Sequence, residues 1–286
     1  MAGLRVLVPG DEARLFEFLE QYVDTSLFFF AKIERAGLVD HGEPLQGTYV
    51  AHFSDSGAIT AVAGHAWNCN VMVQGDVGVE EAAVEAVACS GRAVKGLVGP
   101  WALVCRARKA LGLEQVKAAH DGREVLMRLS LGDLIEPPLL SRPDVALRVP
   151  TLTEALGPLL EWRIGYMVES LGGTHDASLE QGCRSTMEGW LSRGALWVLT
   201  LGGEIVSMTG FNAEARGIVQ VGGVYTPPRL RSRSYARAAV AGSLKLARDH
   251  GAMRSVLFTS EQNLAAQAAY RGIGYRITGD YGLVLY

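Results

Sequence analysis

An apolar strand that runs through a basic loop into a long helix is the feature that most restricts how this chain can fold. The strand covers residues 218–225, and Arg229, Arg231, Arg233 and Arg237 follow it around the start of the helix. The first backbone N–H groups of a helix have no intrahelical partner and lie at the positive end of the helix dipole. Such a site suits a phosphate or pyrophosphate, although a run of arginines is also compatible with a solvated surface cluster.

A second segment, residues 260–275, predicts a short helix that ends in glycines before the last strands. Together the two segments resemble the acyl-CoA-binding core of the GNAT superfamily, the Gcn5-related N-acetyltransferases. In that family the loop reads Gln/Arg-x-x-Gly-x-Gly/Ala and the later segment reads Asn-x-x-Ala-x-x-x-Tyr-x-x-x-Gly-Phe. The positions that match are Arg229, Asn263, Ala266, Tyr270 and Gly274, with Tyr275 in the place of the phenylalanine.

Two serines depart from the loop of the family. Ser232 and Ser234 stand where the family has glycine or alanine, and glycine allows the backbone to approach a pyrophosphate closely. If the loop keeps its geometry, Ser232 can act as the N-cap of the helix. If either position needs φ > 0, the serine costs about 1 kcal/mol or more in strain or blocked approach. The affinity for CoA therefore depends on the conformation of this loop.

The resemblance implies an acyl-CoA site in the C-terminal half. By that resemblance, the end of the strand binds the acyl carbonyl and the pantetheine arm, the loop holds the pyrophosphate, and Tyr270 protonates the leaving thiolate. A tyrosine hydroxyl is a proton donor at neutral pH, whereas the alternative for Tyr270 is aromatic packing on the sheet. The cofactor-binding residues that this implies are Val224, Tyr225, Thr226, Arg229, Arg231, Ser232, Arg233, Ser234, Tyr235, Ala236, Asn263 and Ala266.

The acceptor side of the site is less well defined. Arg163, Tyr166 and Glu169 lie on a predicted helix that often walls the acceptor site in this family, and we expect them to face the acceptor. Trp162, Tyr166 and Glu169 share one helix face, which an ordinary amphipathic helix with an aromatic core stripe also explains. The general base is not identified, because the central strand offers only Gln220, an amide that takes up no proton.

Composition limits the class of protein. A chain of 286 residues with 49% hydrophobic content has room for two domains, and a net charge of −3 argues against binding nucleic acid by bulk electrostatics. The sequence contains no predicted membrane span and no signal-peptide pattern. Four scattered cysteines predict a reduced, cytoplasmic setting, and six histidines without ligand spacing predict no metal site.

Three prolines within residues 136–144 predict a linker, because proline opposes both helix and central strand. We therefore expect a degenerate GNAT-like N-terminal domain at 1–135, a Pro-rich linker at 136–146 and an acyl-CoA-binding GNAT domain at 147–286. The first half repeats the order of elements of the second but lacks its basic loop. The predicted fold class is α+β, with a mixed, mostly antiparallel sheet flanked by helices and two GNAT-like halves in tandem.

Hydrophobic periodicity and turn residues predict the individual elements. In the first half we expect helices at 11–37, 79–90 and 101–111, with strands at 48–53, 58–66, 68–74, 95–98 and 124–131. In the second half we expect helices at 153–171, 177–193, 232–250 and 262–271, with strands at 146–149, 195–200, 204–211, 218–225 and 254–259 and two short strands within 275–286. Ser260 is the expected N-cap of the last helix, so Asn263 is a first-turn residue, a pantetheine contact, or both.

From these observations we predict an N-acyltransferase that moves an acetyl group from acetyl-CoA to an amine of a small molecule, or of a protein, by direct attack in a ternary complex. One alternative is a non-catalytic CoA-binding or sensing protein. Another is an N-acyltransferase that uses a longer acyl-CoA. We expect no nucleic acid or membrane partner, a monomer or homodimer, and CoA binding by the C-terminal half alone.

Overall fold

The structure, a computed structural model, describes residues 3–286. The first half contains β1 (Gly3–Val6), α1 (Glu12–Glu20), α2 (Val23–Ala36), β2 (Gly47–Phe53), β3 (Ile59–Ala66), β4 (Asn70–Gly75), α3 (Val79–Ser90), β5 (Gly96–Gly99), α4 (Trp101–Ala110) and β6 (His120–Ser130). The second half contains β7 (Val145–Arg148), α5 (Leu152–Leu156), α6 (Pro158–Leu171), α7 (Ala177–Ser192), β8 (Leu196–Leu201), β9 (Glu204–Ala215), β10 (Ile218–Tyr225), α8 (Tyr235–Asp249), β11 (Arg254–Ser260), α9 (Leu264–Arg271) and β12 (Arg276–Leu285).

The chain forms two compact units, and each contains a strand segment from the other half of the sequence. The first unit comprises the chain up to Val125 together with Gly279–Tyr286, and the second comprises Leu126–Thr278. Most of β12 therefore belongs to the first unit, and the second half of β6 belongs to the second unit. The domain limits expected from the prolines mark an interruption of regular secondary structure, whereas the two units are defined by which residues pack together. The limits 1–135 and 147–286 stay a prediction about folding domains.

The first unit has a sheet with the strand order β1-β2-β3-β4-β5-β12. Neighbouring strands are antiparallel except for the parallel pair β4 and β5. In the last pair, Gly282 lies opposite Gly99 and Leu285 opposite Gly96. Val284 of β12 is fully buried in the same hydrophobic core as Leu97. The C-terminal strand is thus part of the core of the first unit.

The second unit has a sheet with the strand order β6-β11-β10-β9-β8-β7. Strands β7, β8, β9 and β10 form an antiparallel meander, and β10 pairs with β11 in parallel. Helix α8 packs on this sheet through Tyr235, Ala238 and Ala239, which share a buried cluster with Leu199 and Val206. The predicted fold class, a mixed and mostly antiparallel sheet flanked by helices, is confirmed.

Several element boundaries differ from the sequence prediction. The helix expected at 11–37 is two helices, and the helix expected at 153–171 is interrupted at Gly157, whose φ and ψ are both −109°. Pro158 then begins α6, since proline fits the first helical position but not a helix interior. Instead of the two short strands expected within 275–286, the structure has one long strand, β12. Its second half pairs with β5.

The proline-rich segment between the halves is packed rather than extended. Pro138–Ser141 form a short 3₁₀ turn, and an ion pair with a nitrogen–oxygen distance of 2.6 Å joins Arg142 to Asp144. Leu139 and Leu140 contact the buried cluster beneath α8. Within residues 3–286, no helix is long and apolar enough to cross a membrane.

Candidate functional site

The site in the second unit begins where two parallel strands stop pairing. Strands β10 and β11 pair from Ile218–Arg254 to Gln220–Val256, although β10 continues to Tyr225 and β11 to Ser260. The register between β10 and β9 shifts just after Gln220 and again before Tyr225, as in β-bulges. Bulges bend a strand and disrupt its ladder. Beyond Gln220, the backbone of β10 is therefore no longer paired with β11.

A glycine pair lets a tryptophan lie against this bent strand. A Cβ atom on Gly223, whose φ is +60°, would lie 2.2 Å from the Trp190 ring, and one on Gly222 would lie 2.0 Å from the Asn212 amide. Trp190 belongs to α7 and is 2% exposed. Trp190 is not among the site residues predicted from the sequence. The signal was the Gly-Gly pair inside a strand, since glycine there often marks a close approach.

The loop after β10 adopts a backbone that glycine would favour. A 3₁₀ turn at Pro228–Leu230 leads to Ser232 and Ser234, whose φ angles are +63° and +64°. Helix α8 begins at Tyr235, with Ser234 in the N-cap position and no side-chain cap bond, so the helix start expected at Ser232 is wrong. Left-handed residues next to right-handed ones turn successive N–H groups into an anion-binding concavity. The loop has this conformation despite the two serines.

A Ser232→Gly/Ser234→Gly variant is expected to be more stable than the wild type by about 1 kcal/mol. A left-handed conformation costs a residue with a side chain about 1–2 kcal/mol, and the greater chain entropy of unfolded glycine offsets part of the gain. We also expect CoA to bind about threefold to thirtyfold more tightly, because no Cβ then blocks the backbone. Urea unfolding and calorimetry measure the two effects.

The Ser232→Ala/Ser234→Ala variant is the control for this pair, since it removes both hydroxyls but keeps both Cβ atoms and the strained backbone. It is expected to gain neither stability nor affinity. Equal or weaker CoA binding by the well-folded glycine variant would mean that the loop with serine at both positions binds CoA at least as well as a glycine loop does.

The four arginines around the loop have different surroundings. Arg231 donates from Nη2 to the Glu169 carboxylate at 2.5 Å and from Nε to the carbonyl oxygen of Thr226 at 3.0 Å. Arg237 donates to the Ser234 hydroxyl at 3.1 Å. Arg229 and Arg233 are exposed. Arg231 is therefore engaged with α6 and with the end of β10, and Arg229 and Arg233 are exposed cations of the same loop.

Glu169 joins α6 to the end of β10. Its carboxylate accepts hydrogen bonds from the Arg231 guanidinium and, at 2.9 Å, from the Tyr225 hydroxyl. The Arg231 bond, followed by the Tyr225 bond, outweighs partial burial and lowers the pKa of Glu169 below its usual value. A carboxylate held ionised in this way is a weak base. Trp162 on the same helix also contacts Tyr225, with 6.2 Å between ring centroids, so the sequence-predicted face of α6 does meet β10.

Tyr270 lies in the interior of the second unit near the end of α9. It is 9% exposed, and its ring meets the Tyr275 ring edge-on with 5.9 Å between centroids. Burial, with a smaller contribution from Tyr166, raises the pKa of Tyr270 above the usual tyrosine value. Its hydroxyl therefore stays protonated across the neutral range. This state is the one that a proton donor requires.

Asn263, and not Ser260, caps α9. The side-chain oxygen of Asn263 accepts a hydrogen bond from the backbone N–H of Ala266 at 3.1 Å. The Ser260 hydroxyl accepts one from the N–H of Gln262 at 3.2 Å, in the turn before the helix. The expectation that Ser260 is the N-cap is wrong, because the helix begins at Leu264. A contact between Asn263 and pantetheine stays a prediction, and the cap leaves the amide NH₂ group available for it.

Three other residues that the sequence singled out are Arg163, Tyr166 and Gln220. Arg163 and Tyr166 lie on α6, and the Arg163 guanidinium carbon is 5.0 Å from the centroid of the Tyr166 ring. Gln220 is buried, and its amide donates to the carbonyl oxygen of Val221 at 2.8 Å. In the part of the chain that the structure describes, no group of three or more histidines, cysteines or carboxylates is arranged to hold a metal ion.

A known family covers most of this site. Residues 164–275 match the family described as the acetyltransferase (GNAT) family. The matched segment runs from α6 to the end of α9 and includes β10, the loop and Tyr270. No curated protein matches the sequence.

Solved structures resemble the whole chain at low sequence identity. A Drosophila protein has a TM-score of 0.71 and 13% identity over 100% of this chain and 99% of its own. A GCN5-related N-acetyltransferase from Sphaerobacter thermophilus has a TM-score of 0.58 and 16% identity over 99% and 94%. A tandem GNAT protein from the clavulanic acid biosynthesis pathway has a TM-score of 0.56 and 11% identity over 99% and 97%. The expected fold, two GNAT-like halves in tandem, is confirmed.

Proposed function

We propose that the chain, whose residues 164–275 match the GNAT family of acetyltransferases, transfers an acetyl group from acetyl-CoA to the amine of a small molecule. The observation that carries the proposal is the junction of a bent strand, a left-handed loop and a helix start at residues 221–236. This junction combines a strand end that no longer pairs with β11 and a helix start suited to an anion.

The residues at this junction fit acyl-CoA as a substrate. We assign the backbone of Val224, Tyr225 and Thr226 to the acyl carbonyl and the pantetheine arm, since this stretch of β10 has left its ladder with β11. Loop residues 232–236 and the exposed Arg229 and Arg233 would hold the phosphates. Arg231 would position the loop through Glu169 rather than bind phosphate. Asn263, the N-cap of α9, and Ala266, in its first turn, would contact the pantetheine amides.

The chemical step needs one bond to form and one to break. The neutral amine attacks the thioester carbon, a C–N bond forms, and the C–S bond breaks with its electrons on sulfur. Donors fixed near the carbonyl oxygen stabilise the charge that develops there. Tyr270 would give its hydroxyl proton to the thiolate and recover a proton from solvent. The amine loses its extra proton to water, since Gln220 is an amide and Glu169 is a weak base.

A non-catalytic CoA-binding protein is the second candidate. The observation that favours it concerns two groups of the site: Gln220, where the strands separate, is an amide, and Arg231 holds Glu169 ionised by lowering its pKa. Such a protein would bind CoA through the same loop without turnover. A third candidate, a transferase for longer acyl groups, differs from the proposal only in the donor.

Release of free CoA thiol from acetyl-CoA, measured with a panel of amines, tests the proposal. The panel contains amino acids, polyamines, amino sugars and aromatic amines, and we expect thiol release that depends on one of these classes. CoA binding by calorimetry without thiol release from any amine would support the non-catalytic protein instead. A donor series from acetyl- to decanoyl-CoA distinguishes the longer-chain enzyme, which would prefer the longer thioesters.

A further inference from the structure

One buried cation in the second unit has no anion beside it. Arg163 lies on α6 between two aromatic rings, with its guanidinium carbon 5.0 Å from the Tyr166 ring centroid and 5.1 Å from that of Trp190. Its Nε atom is buried and has no hydrogen-bond partner. Among residues 3–286, no carboxylate forms an ion pair with it, and burial lowers the pKa of its guanidinium, with Tyr166 and Cys183 acting weakly in the opposite direction.

The two rings place this cation beside the reacting end of the proposed site. The Trp190 ring lies against Gly223, just before the backbone assigned to the acyl carbonyl. Tyr166 is close enough to Tyr270 to influence its pKa. In the sequence, Gly223 comes before residues 224–226, which are assigned to the acyl carbonyl, and the loop assigned to the phosphates comes after them. Arg163 is thus on the acceptor side of the acyl group and away from the arginines of the loop.

We propose that Arg163 binds the carboxylate of the acceptor, and that the acceptor is an α-amino acid. The inference rests on the proposed function, whose substrate class it names. A desolvated charge without a partner is costly, and a ligand anion removes that cost. Stacking on Tyr166 and Trp190 fixes the guanidinium plane and leaves its N–H edge for a planar, bidentate carboxylate.

The chemistry of the site favours an amino acid over other anions. The attacking nitrogen has to reach the thioester carbon next to Val224, and Arg163 is near that point, so the anion and the amine must be close together in one molecule. An α-amino acid has its carboxylate one carbon from its amine. Arg163 is half-buried as a residue, and Nε is the one nitrogen of its described side chain that is buried without a hydrogen-bond partner, so we expect the Nη edge to be within reach of such a ligand.

The test compares amino acids with their amides, which keep the amine and lose the anion. Calorimetry on the full chain saturated with CoA measures binding of the standard amino acids and of the matching amides, and thiol release from acetyl-CoA gives kcat/KM for each. We expect an amino acid to exceed its amide by about 30-fold or more in both measurements. The Arg163→Gln variant is expected to lose this preference while its affinity for CoA changes less than about threefold.

Two further variants keep the result interpretable. Arg184→Gln removes a charge from α7, where Arg184 pairs with Glu180, and is expected to bind amino acids as the wild type does. Arg163→Lys keeps the charge without the planar fork, and its preference for an amino acid over the amide is expected to be intermediate.

The inference is overturned if no amino acid binds, if acids and amides bind alike, or if Arg163→Gln keeps the preference. It is also overturned if Arg163 instead selects malonyl- over acetyl-CoA. Turnover of other amines only would overturn this inference but not the proposed function, whereas amino-acid binding without turnover would overturn the proposed function alone.

Discussion

A Tyr270→Phe variant is expected to lower kcat by roughly 10²-fold or more with little change in CoA binding. The substitution removes one oxygen from a ring that is already buried against Tyr275, so packing is kept. The hydroxyl is protonated at neutral pH because burial raises its pKa, and no other group in the proposed mechanism gives the thiolate a proton. Steady-state kinetics with the best acceptor, together with calorimetry of CoA, measures the two quantities.

The neighbouring tyrosine offers a matched control. The Tyr275 hydroxyl is hydrogen-bonded to the Ser255 hydroxyl at 2.5 Å in the interior, so Tyr275→Phe removes the same atom from an adjacent ring. This variant is expected to lose about 1 kcal/mol of stability and to keep its kcat. Undiminished turnover by Tyr270→Phe, at a pH where chemistry limits the rate, would exclude Tyr270 as the acid.

A fragment of residues 136–286 is expected to lose cooperative unfolding and CoA binding altogether. It contains the whole proposed site but lacks the part of β6 that borders β11. The fragment omits three side chains that are at most 2% exposed, those of Met127, Leu129 and Leu131. The carbonyl oxygen of Leu131 also accepts a hydrogen bond from the Arg248 guanidinium, and the Leu131 N–H donates one to the carbonyl oxygen of Met253. Burying three such side chains stabilises by roughly 5–9 kcal/mol, comparable with the whole stability of about 5–15 kcal/mol.

The matched fragment, residues 126–278, follows the observed unit and is expected to unfold cooperatively and to bind CoA. Urea unfolding followed by circular dichroism and calorimetry of CoA compare the two fragments. The expectation from the sequence, that the half after the linker binds CoA by itself, predicts the opposite result for residues 136–286. A 136–286 fragment that unfolds in one transition and binds CoA like the full chain would show that β6 is dispensable.

The sequence predicted most of the elements in their order and the family that residues 164–275 match, but it missed β1 and the divisions between α1 and α2 and between α5 and α6. Regular periodicity and a motif spread over two segments are local signals, and β10, α8 and α9 were found within a few residues of their observed limits. The Gly157-Pro158 pair is itself a signal for an interruption of the helix, since proline favours the first position of a helix. The single helix predicted at 153–171 did not take this signal into account.

Other features depend on contacts between distant residues and were not predictable. The pairing of Glu169 with Arg231 joins residues far apart in sequence, and periodicity alone left the role of Glu169 open. The left-handed φ of Ser232 and Ser234 contradicts the intrinsic preference of serine, so only the surrounding fold imposes it. The pairing of β12 with β5 leaves no local mark either, because the two strands are far apart in sequence.

The position of β12 has a consequence for synthesis on the ribosome. Domains generally fold in order from the N-terminus as the chain emerges, at roughly 5–20 residues per second. The first unit cannot follow this rule, because residues 279–286 complete its sheet and are made only after the whole second unit. Until residues 279–286 emerge, the edge of β5 has no β12 to pair with, and an unpaired edge invites association with other chains. A stop codon before residue 279 would therefore damage the half of the protein that was translated first.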